Sequence, residues 1–173
     1  MTCHDSSQTV WTPRALKDLI EGSLDPETIR QMQRAQKDED RFEKVLQIEQ
    51  ERVPWKERIL APLSEHLYVV LKGDEHIVKC SCGYEFGSHK RNWKLEALVY
   101  ERNPEDGEVY VGPRAADPDW VSLREFYCPG CGTQLEVDCL PVGHPIVFDA
   151  QLDIDGFYSL RPELKKRVFG EGV

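Results

Sequence analysis

The sequence predicts an α+β fold in which short N-terminal helices pack on or flank an antiparallel sheet and an extended tail closes the chain. Three observations predict it. Residues 12 to about 53 carry apolar side chains at helical spacing, and residues 66 to 140 fall into short runs rich in Val, Tyr, Leu and Trp between turn residues. Two close cysteine pairs then sit at the ends of two of those runs, which makes the sheet zinc-ribbon-like. The expected organisation is a disordered N-terminus at 1–11, a helical arm at 12–60, a zinc-ribbon-like β domain at 61–140 with an insert at 83–127, and an extended tail at 141–173 ending in a short helix.

In the helical arm, Thr12 is placed to cap a first helix with Pro13 at its first position. Ala15, Leu16, Leu19 and Ile20 form its apolar stripe, and Gly22 ends it. Asp25 and Pro26 repeat the start signal for a second helix carrying Ile29 and Met32. Asp38 opens a third, through Phe42, Val45, Leu46, Glu49 and Val53, and Pro54 marks its end. The stripes are narrow and the outer faces dense in charge, so these helices need something to pack on, either this chain's own sheet or a partner.

Five strands are expected: His66 to Leu71, His76 to Lys79, Trp93 to Arg102, Val121 to Tyr127 and Gln134 to Leu140. Leu71-Lys72-Gly73-Asp74 reads as a turn between the first two, and the Pro-, Gly- and Asp-rich stretch 103–119 reads as an exposed loop. After Pro141 the chain reads as extended to Tyr158, with a short basic helix near Glu163 to Arg167. Such a tail is expected to lie on a surface, its own or a partner's.

The chain has 173 residues, 40% of them hydrophobic and 31% charged, which suits one domain with a core or a small domain with appendages. No apolar run approaches the roughly 20 residues that cross a bilayer, and the start lacks the features of a signal peptide, so the expected location is the cytoplasm, without membrane attachment. A net charge of -9 leaves no electrostatic footprint for a polyanion and disfavours nucleic acid as a partner.

Of six cysteines, four form the strongest motif: Cys80-Ser81-Cys82-Gly83 and Cys128-Pro129-Gly130-Cys131-Gly132. A glycine after each pair lets the backbone turn tightly and aim N–H groups at sulfur. In a reducing compartment such pairs read as thiolate ligands of zinc rather than disulfides, and four thiolates leave no position open for water or substrate. Lys79, His89, Lys90 and Arg91 lie close enough in sequence to offset the charge of such a centre, or else form an ordinary solvated turn. Cys139 is expected to be a small buried side chain, and Cys3 to lie in the disordered terminus. Neither a nucleophile elbow nor a phosphate-cradling loop is present, Asp153 and Asp155 read as solvated, and no catalytic or cofactor-binding residue is expected. Two other classes fit four cysteines, a rubredoxin-like electron carrier and a nucleic-acid-binding zinc ribbon. The single residue between Cys80 and Cys82 and the long insert count against the first, and the acidic balance against the second.

The flanks of the cysteines carry a more specific likeness. Leu24-Asp25-Pro26-Glu27-Thr28, Gln50 to Trp55, Cys80 to Phe86, Asn92-Trp93-Lys94-Leu95, Arg124 to Pro129 with Cys131-Gly132-Thr133, and Gly156-Phe157-Tyr158 resemble the gamma subunit of acetone carboxylase. The resemblance implies a complex of two copies each of alpha, beta and gamma subunits that uses ATP to form acetoacetate from acetone and bicarbonate. It further implies nucleotide and Mn2+ sites in the larger subunits and a structural Zn2+ on Cys80, Cys82, Cys128 and Cys131 of this chain. Tyr84 stands where many relatives have His, which argues against a further ligand there. On this basis the zinc module is expected to be a rigid clasp, with the helices and the Gln151 to Tyr158 tail holding the larger subunits.

Overall fold

The computed structural model describes residues 11–102 and 117–170; Cys3 and most of the expected 103–119 loop lie outside them. The chain divides into two compact units, one ending at Arg52 and one beginning at Val53.

The first unit holds α1 (Pro13–Ile20), α2 (Pro26–Arg34) and α3 (Arg41–Arg52). Both expected caps form: Thr12 Oγ1 accepts from the Ala15 N–H at 3.2 Å, and Asp25 accepts from the Glu27 and Thr28 N–H groups at 3.0 Å each. Asp38 does something else. Its carboxylate accepts from the Trp11 N–H at 3.0 Å and from Lys44 at 3.2 Å, and α3 starts three residues later than this residue. Leu16, Met32, Leu46 and Glu49 of the expected stripes are buried, and so is Ile48, which the expected spacing did not include.

In the second unit, β1 (Arg58–Ser64), β2 (Leu67–Lys72), β3 (Glu75–Cys80) and β4 (Glu85–Ser88) form an antiparallel sheet in chain order. A separate antiparallel sheet contains β5 (Leu98–Arg102), β6 (Val121–Tyr127) and β7 (Gln134–Pro141). The fold is therefore α+β with antiparallel strands as expected, but the strands form two sheets. Strands β1 and β4 carry no signal in the sequence. β1 contains Pro62 and two register shifts, which its edge position tolerates and which erase the period of two. Trp93–Glu96, expected to begin a strand, is a 3-10 helix whose start is capped by the Asn92 side chain accepting from the Lys94 N–H. That turn lets the consecutive side chains of Trp93 and Lys94 both go inward, which a strand cannot do.

The two sheets share one core. Leu67, Val78 and Phe86 from the first meet Phe126 and Leu135 from the second, with Trp93 among them. Edge-to-face contacts run from Tyr84 to Phe86 at 5.0 Å, from Phe86 to Trp93 at 5.7 Å and from Trp93 to Phe126 at 6.1 Å between ring centres.

Residues 144–153 have no regular element, in keeping with the expected extended path. Two helices follow, α4 (Ile154–Ser159), which the sequence did not signal, and α5 (Pro162–Phe169). Asp153, read as solvated, caps α4 by accepting from the Gly156 N–H. Of the two surfaces on which the tail could lie, Ile154 and Tyr158 take this chain's own: both are buried, and the Tyr158 hydroxyl donates to the Leu60 carbonyl at 2.8 Å. Burial pushes that hydroxyl up to about 12. Tyr158→Phe is expected to lower stability by about 1 kcal/mol in denaturant titration. Among the described residues no helix is long and apolar enough to cross a membrane.

Candidate metal centre

The two cysteine pairs sit at corresponding places in the two sheets. Cys80 is the last residue of β3 and Cys82 lies in the turn to β4; Cys128 follows β6 and Cys131 lies in the turn to β7. In the first turn the Gly83 N–H donates to the Cys80 carbonyl at 2.8 Å, and the Cys80 N–H to the Tyr84 carbonyl at 2.8 Å. Gly83 has φ of 104°, a conformation that L side chains rarely adopt. In the second, the Gly132 N–H donates to the Cys128 carbonyl at 2.8 Å and the Cys128 N–H to the Thr133 carbonyl at 2.9 Å. Each turn is thus a closed backbone loop that presents two sulfurs.

Packing of the sheets brings the turns together. One ligand atom from each of Cys80, Cys82, Cys128 and Cys131 lies within 4.8 Å of all the others, so the group can hold a metal ion. Between the pairs, Cys80 Sγ is 3.9 Å from Cys131 Sγ and Cys82 Sγ is 3.7 Å from Cys128 Sγ. A tetrahedron with metal–sulfur bonds of about 2.3 Å has edges of about 3.8 Å, so the thiols stand at the spacing such a centre requires.

Burial pushes the Cys80 and Cys128 thiols up, whereas Thr133, whose Oγ1 is 3.2 Å from Cys131 Sγ, helps bring Cys131 down to about 7. Two sulfurs are therefore shielded and two face solvent, Cys82 and Cys131 being exposed. The Gly130 N–H lies 3.4 Å from Cys128 Sγ, placed to donate to a thiolate.

Of the four basic residues read either as an offset to the charge of the centre or as an ordinary solvated turn, three take partners other than the cysteines. Lys79 pairs with Glu57 at 2.6 Å and with Glu85 at 3.5 Å, and its ammonium lies over the Trp55 ring. His89 is directed at the His76 carbonyl, Arg91 pairs with Glu96, and Lys90 has no ion pair among the described residues. Cys139, expected to be buried, is exposed, because its side of the β5–β7 sheet is left open.

Residues without a role in the sequence reading brace the centre. The Trp55 indole N–H lies 3.1 Å from both the Cys80 and the Ser81 carbonyl oxygens, holding the first turn from behind. Tyr84 packs across the gap between the turns. A Cβ added at Gly130 would stand 2.9 Å from the Tyr84 Cβ and 3.4 Å from Cys82 Sγ. Gly130→Ala is accordingly expected to push the turns apart and weaken metal retention at least tenfold in a chelator competition, while each sheet keeps its own pairing.

A second cluster lies nearby. Lys94, with a side chain 0% exposed, donates to Glu136 at 3.1 Å, Asp138 at 2.9 Å and Asp149 at 2.9 Å, with its ammonium 5.1 Å from the centre of the Phe126 ring. The three carboxylates could by spacing hold a metal, but the lysine ammonium is their cation here. Burial alone would pull Lys94 down; the carboxylates outweigh it and push it up to about 12. Burial pushes Glu136 up, and it also acts to raise Asp149, which Lys94 nonetheless holds below the ordinary carboxylate range. Asn92-Trp93-Lys94-Leu95 stood out as a motif, but no spacing rule connects Lys94 with acids 42 to 55 positions away.

Residues 53–161, which include all four cysteines, Trp55 and Lys94, match the family described as acetone carboxylase gamma subunit. The chain belongs to this family. It is 38% identical over 153 residues to the acetone carboxylase gamma subunit of Xanthobacter autotrophicus, covering 86% of this chain and 91% of that one. It is also 42% identical over 102 residues to the acetophenone carboxylase beta subunit of Aromatoleum aromaticum, covering 55% of this chain and 74% of that one. Both relatives are named as subunits, so membership implies further subunits beside this one.

Proposed function

We propose that this chain is the small, zinc-binding, non-catalytic subunit of an ATP-dependent ketone carboxylase that forms acetoacetate from acetone and bicarbonate in the cytoplasm. It works with alpha and beta subunits in a complex of two copies each, and the ATP and Mn2+ sites belong to the larger subunits. The observation that carries the reading is the convergence of four cysteine thiols from two sheets, within a region that matches the family.

Cys80, Cys82, Cys128 and Cys131 would hold Zn2+ as four thiolates. The ion bound there supplies cross-linking and no open coordination position, which supports a structural role. Trp55 and Tyr84 keep the turns in place, the N–H of Gly130 offsets sulfur charge, and the aromatic chain from Tyr84 to Phe126 excludes water from the shared core.

Co-purification tests this reading. The tagged chain, expressed in its native host, is expected to recover two larger subunits in equal amounts with about one zinc per small chain, and the eluate to carboxylate acetone when given ATP and bicarbonate. Recovery of the chain alone with iron, or alone with nucleic acid, would overturn it. Activity on acetophenone but not acetone would keep the subunit role and change the ketone.

A further inference from the structure

Helices α4 and α5 are held to the first sheet along a short seam. The Tyr158 hydroxyl donates to the Leu60 carbonyl of β1, the Tyr158 and Phe169 rings meet edge to face at 5.1 Å, and Phe169 lies 6.5 Å from the His76 ring of β3. The two helices pack more closely on each other than on any strand. A cavity of about 530 Å³ lies between them and the turn that joins β2 to β3, with Asp74, His76, Asp155 and Lys165 in its wall. Little beyond the seam therefore opposes their release.

Within that seam His76 is badly placed to carry a positive charge. Its side chain is 13% exposed, and its ring stands 5.3 Å from that of His89, which is itself buried. The His89 ring is fixed there, because its Nδ1 lies 3.1 Å from the His76 carbonyl and donates to it. Lys90 follows His89 in the chain, and Lys165 of α5 shares the cavity wall. Two acids stand against these cations. Asp155 Oδ1 is 3.8 Å from His76 Nδ1, beyond hydrogen-bonding distance, and its side chain is 73% exposed, so water screens it; Asp74 lines the cavity from the turn.

Burial, the largest influence, pulls the His76 imidazole down. Asp155 pulls it up, His89 and Lys90 press it down again, and the outcome lies below its ordinary 6.5. With the helices released the ring meets water and regains that ordinary value. Closed helices thus retain the neutral imidazole: their hold is complete above pH 6.5 and is lost as the pH falls below it towards the value in the fold.

We propose that α4 and α5 form an acid-released latch, in which a proton on the His76 imidazole frees both helices while the two sheets and the cysteine turns stay together. Strand β3 carries His76 near one end and Cys80 at the other, so the latch opens at the end of the strand away from the metal centre. Release would expose the buried Ile154, Tyr158, Leu164 and Val168, an apolar face presented only in acid.

Amide exchange of the full metal-loaded chain at pH 7.5 and pH 5.5, corrected for the intrinsic rate, tests the latch. Protection in residues 154–169 is expected to fall about threefold or more at the lower pH, with residues 77–80 and 123–127 unchanged. His76→Gln, which cannot take the proton, is expected to keep the protection of the helices at both values. An equal fall in His76→Gln, or no fall in the wild type, would overturn the proposal. Loss of protection in residues 77–80 in step with the helices would assign the change to the cysteine centre and overturn it too. Should His76→Gln fail to fold, Asp155→Asn carries the test at an exposed side chain. It removes the carboxylate paired with the imidazole and is expected to enlarge the fall, and a fall that stays the same or shrinks would count against the latch.

Discussion

Replacement of Cys128 by serine is expected to remove the metal, unfold at least the two-sheet unit and abolish recovery of partner subunits, without altering any group that reacts with substrate. The scale follows from what a four-thiolate zinc contributes. Apparent binding free energies of about 10–16 kcal/mol in small modules match or exceed the total stability of a typical domain, about 5–15 kcal/mol. Here the centre joins turns of two different sheets, so its loss removes a cross-link between them as well as a local brace. Zinc per chain by elemental analysis and the denaturant midpoint of the free subunit check this directly. A Cys128→Ser chain that keeps both the wild-type midpoint and its partners would show that the aromatic core alone holds the sheets. Cys139→Ser is the control: that thiol is exposed and apart from the four, and its loss is expected to leave zinc content unchanged.

Lys94→Met is expected to give the largest loss outside the cysteines, about 3–5 kcal/mol, because it removes one partner from a buried charge cluster and leaves carboxylates facing one another. Lys94 is fully buried, and all three carboxylates of the cluster pair with it. One oxygen of Asp138 is already buried without a hydrogen bond, so the cluster has little further capacity for unpaired charge. The variant also carries a pH signature. Lys94 stands at about 12 in the fold against an ordinary 10.5, so its contribution is complete below pH 10.5 and is lost as the pH rises towards 12. On the acid side, Asp149 is held below its ordinary 3.8, so its contribution is present above that pH and lost below it. The wild-type subunit is therefore expected to lose stability between pH 10.5 and 12 in excess of the variant. Parallel alkaline unfolding curves for the two proteins would place the stabilising role elsewhere.

The parts of the fold legible in the sequence are those set by neighbours along the chain. Thr12 and Asp25 cap as their types and the following prolines imply, and β6 and β7 follow the runs of alternating residues. The parts missed lack such a local sign. β1 is broken by Pro62 and two register shifts, β4 is only four residues long, and α4 contains Gly156 and six residues in all. Propensity is weakest in elements of that size, where packing decides the conformation. Cys139 was misjudged because alternation says which side chains share a face, but not which face is covered.

What the sequence alone determined is a pattern: two short-spaced cysteine pairs, each with a glycine after it, in family-specific flanks. Residue type and local turn chemistry suffice for that, since thiols and glycines act within a few positions of one another. Only the tertiary structure decided that pairs separated by residues 83–127 meet at 3.7 to 3.9 Å, that Gly130 must lack a side chain because Tyr84 stands against it, and that Lys94 closes on three acids from β7 and the tail. Those facts arise from how two sheets stack over Trp93 and Phe126, and such stacking is fixed by complementary shape across the whole core rather than by any spacing along the chain.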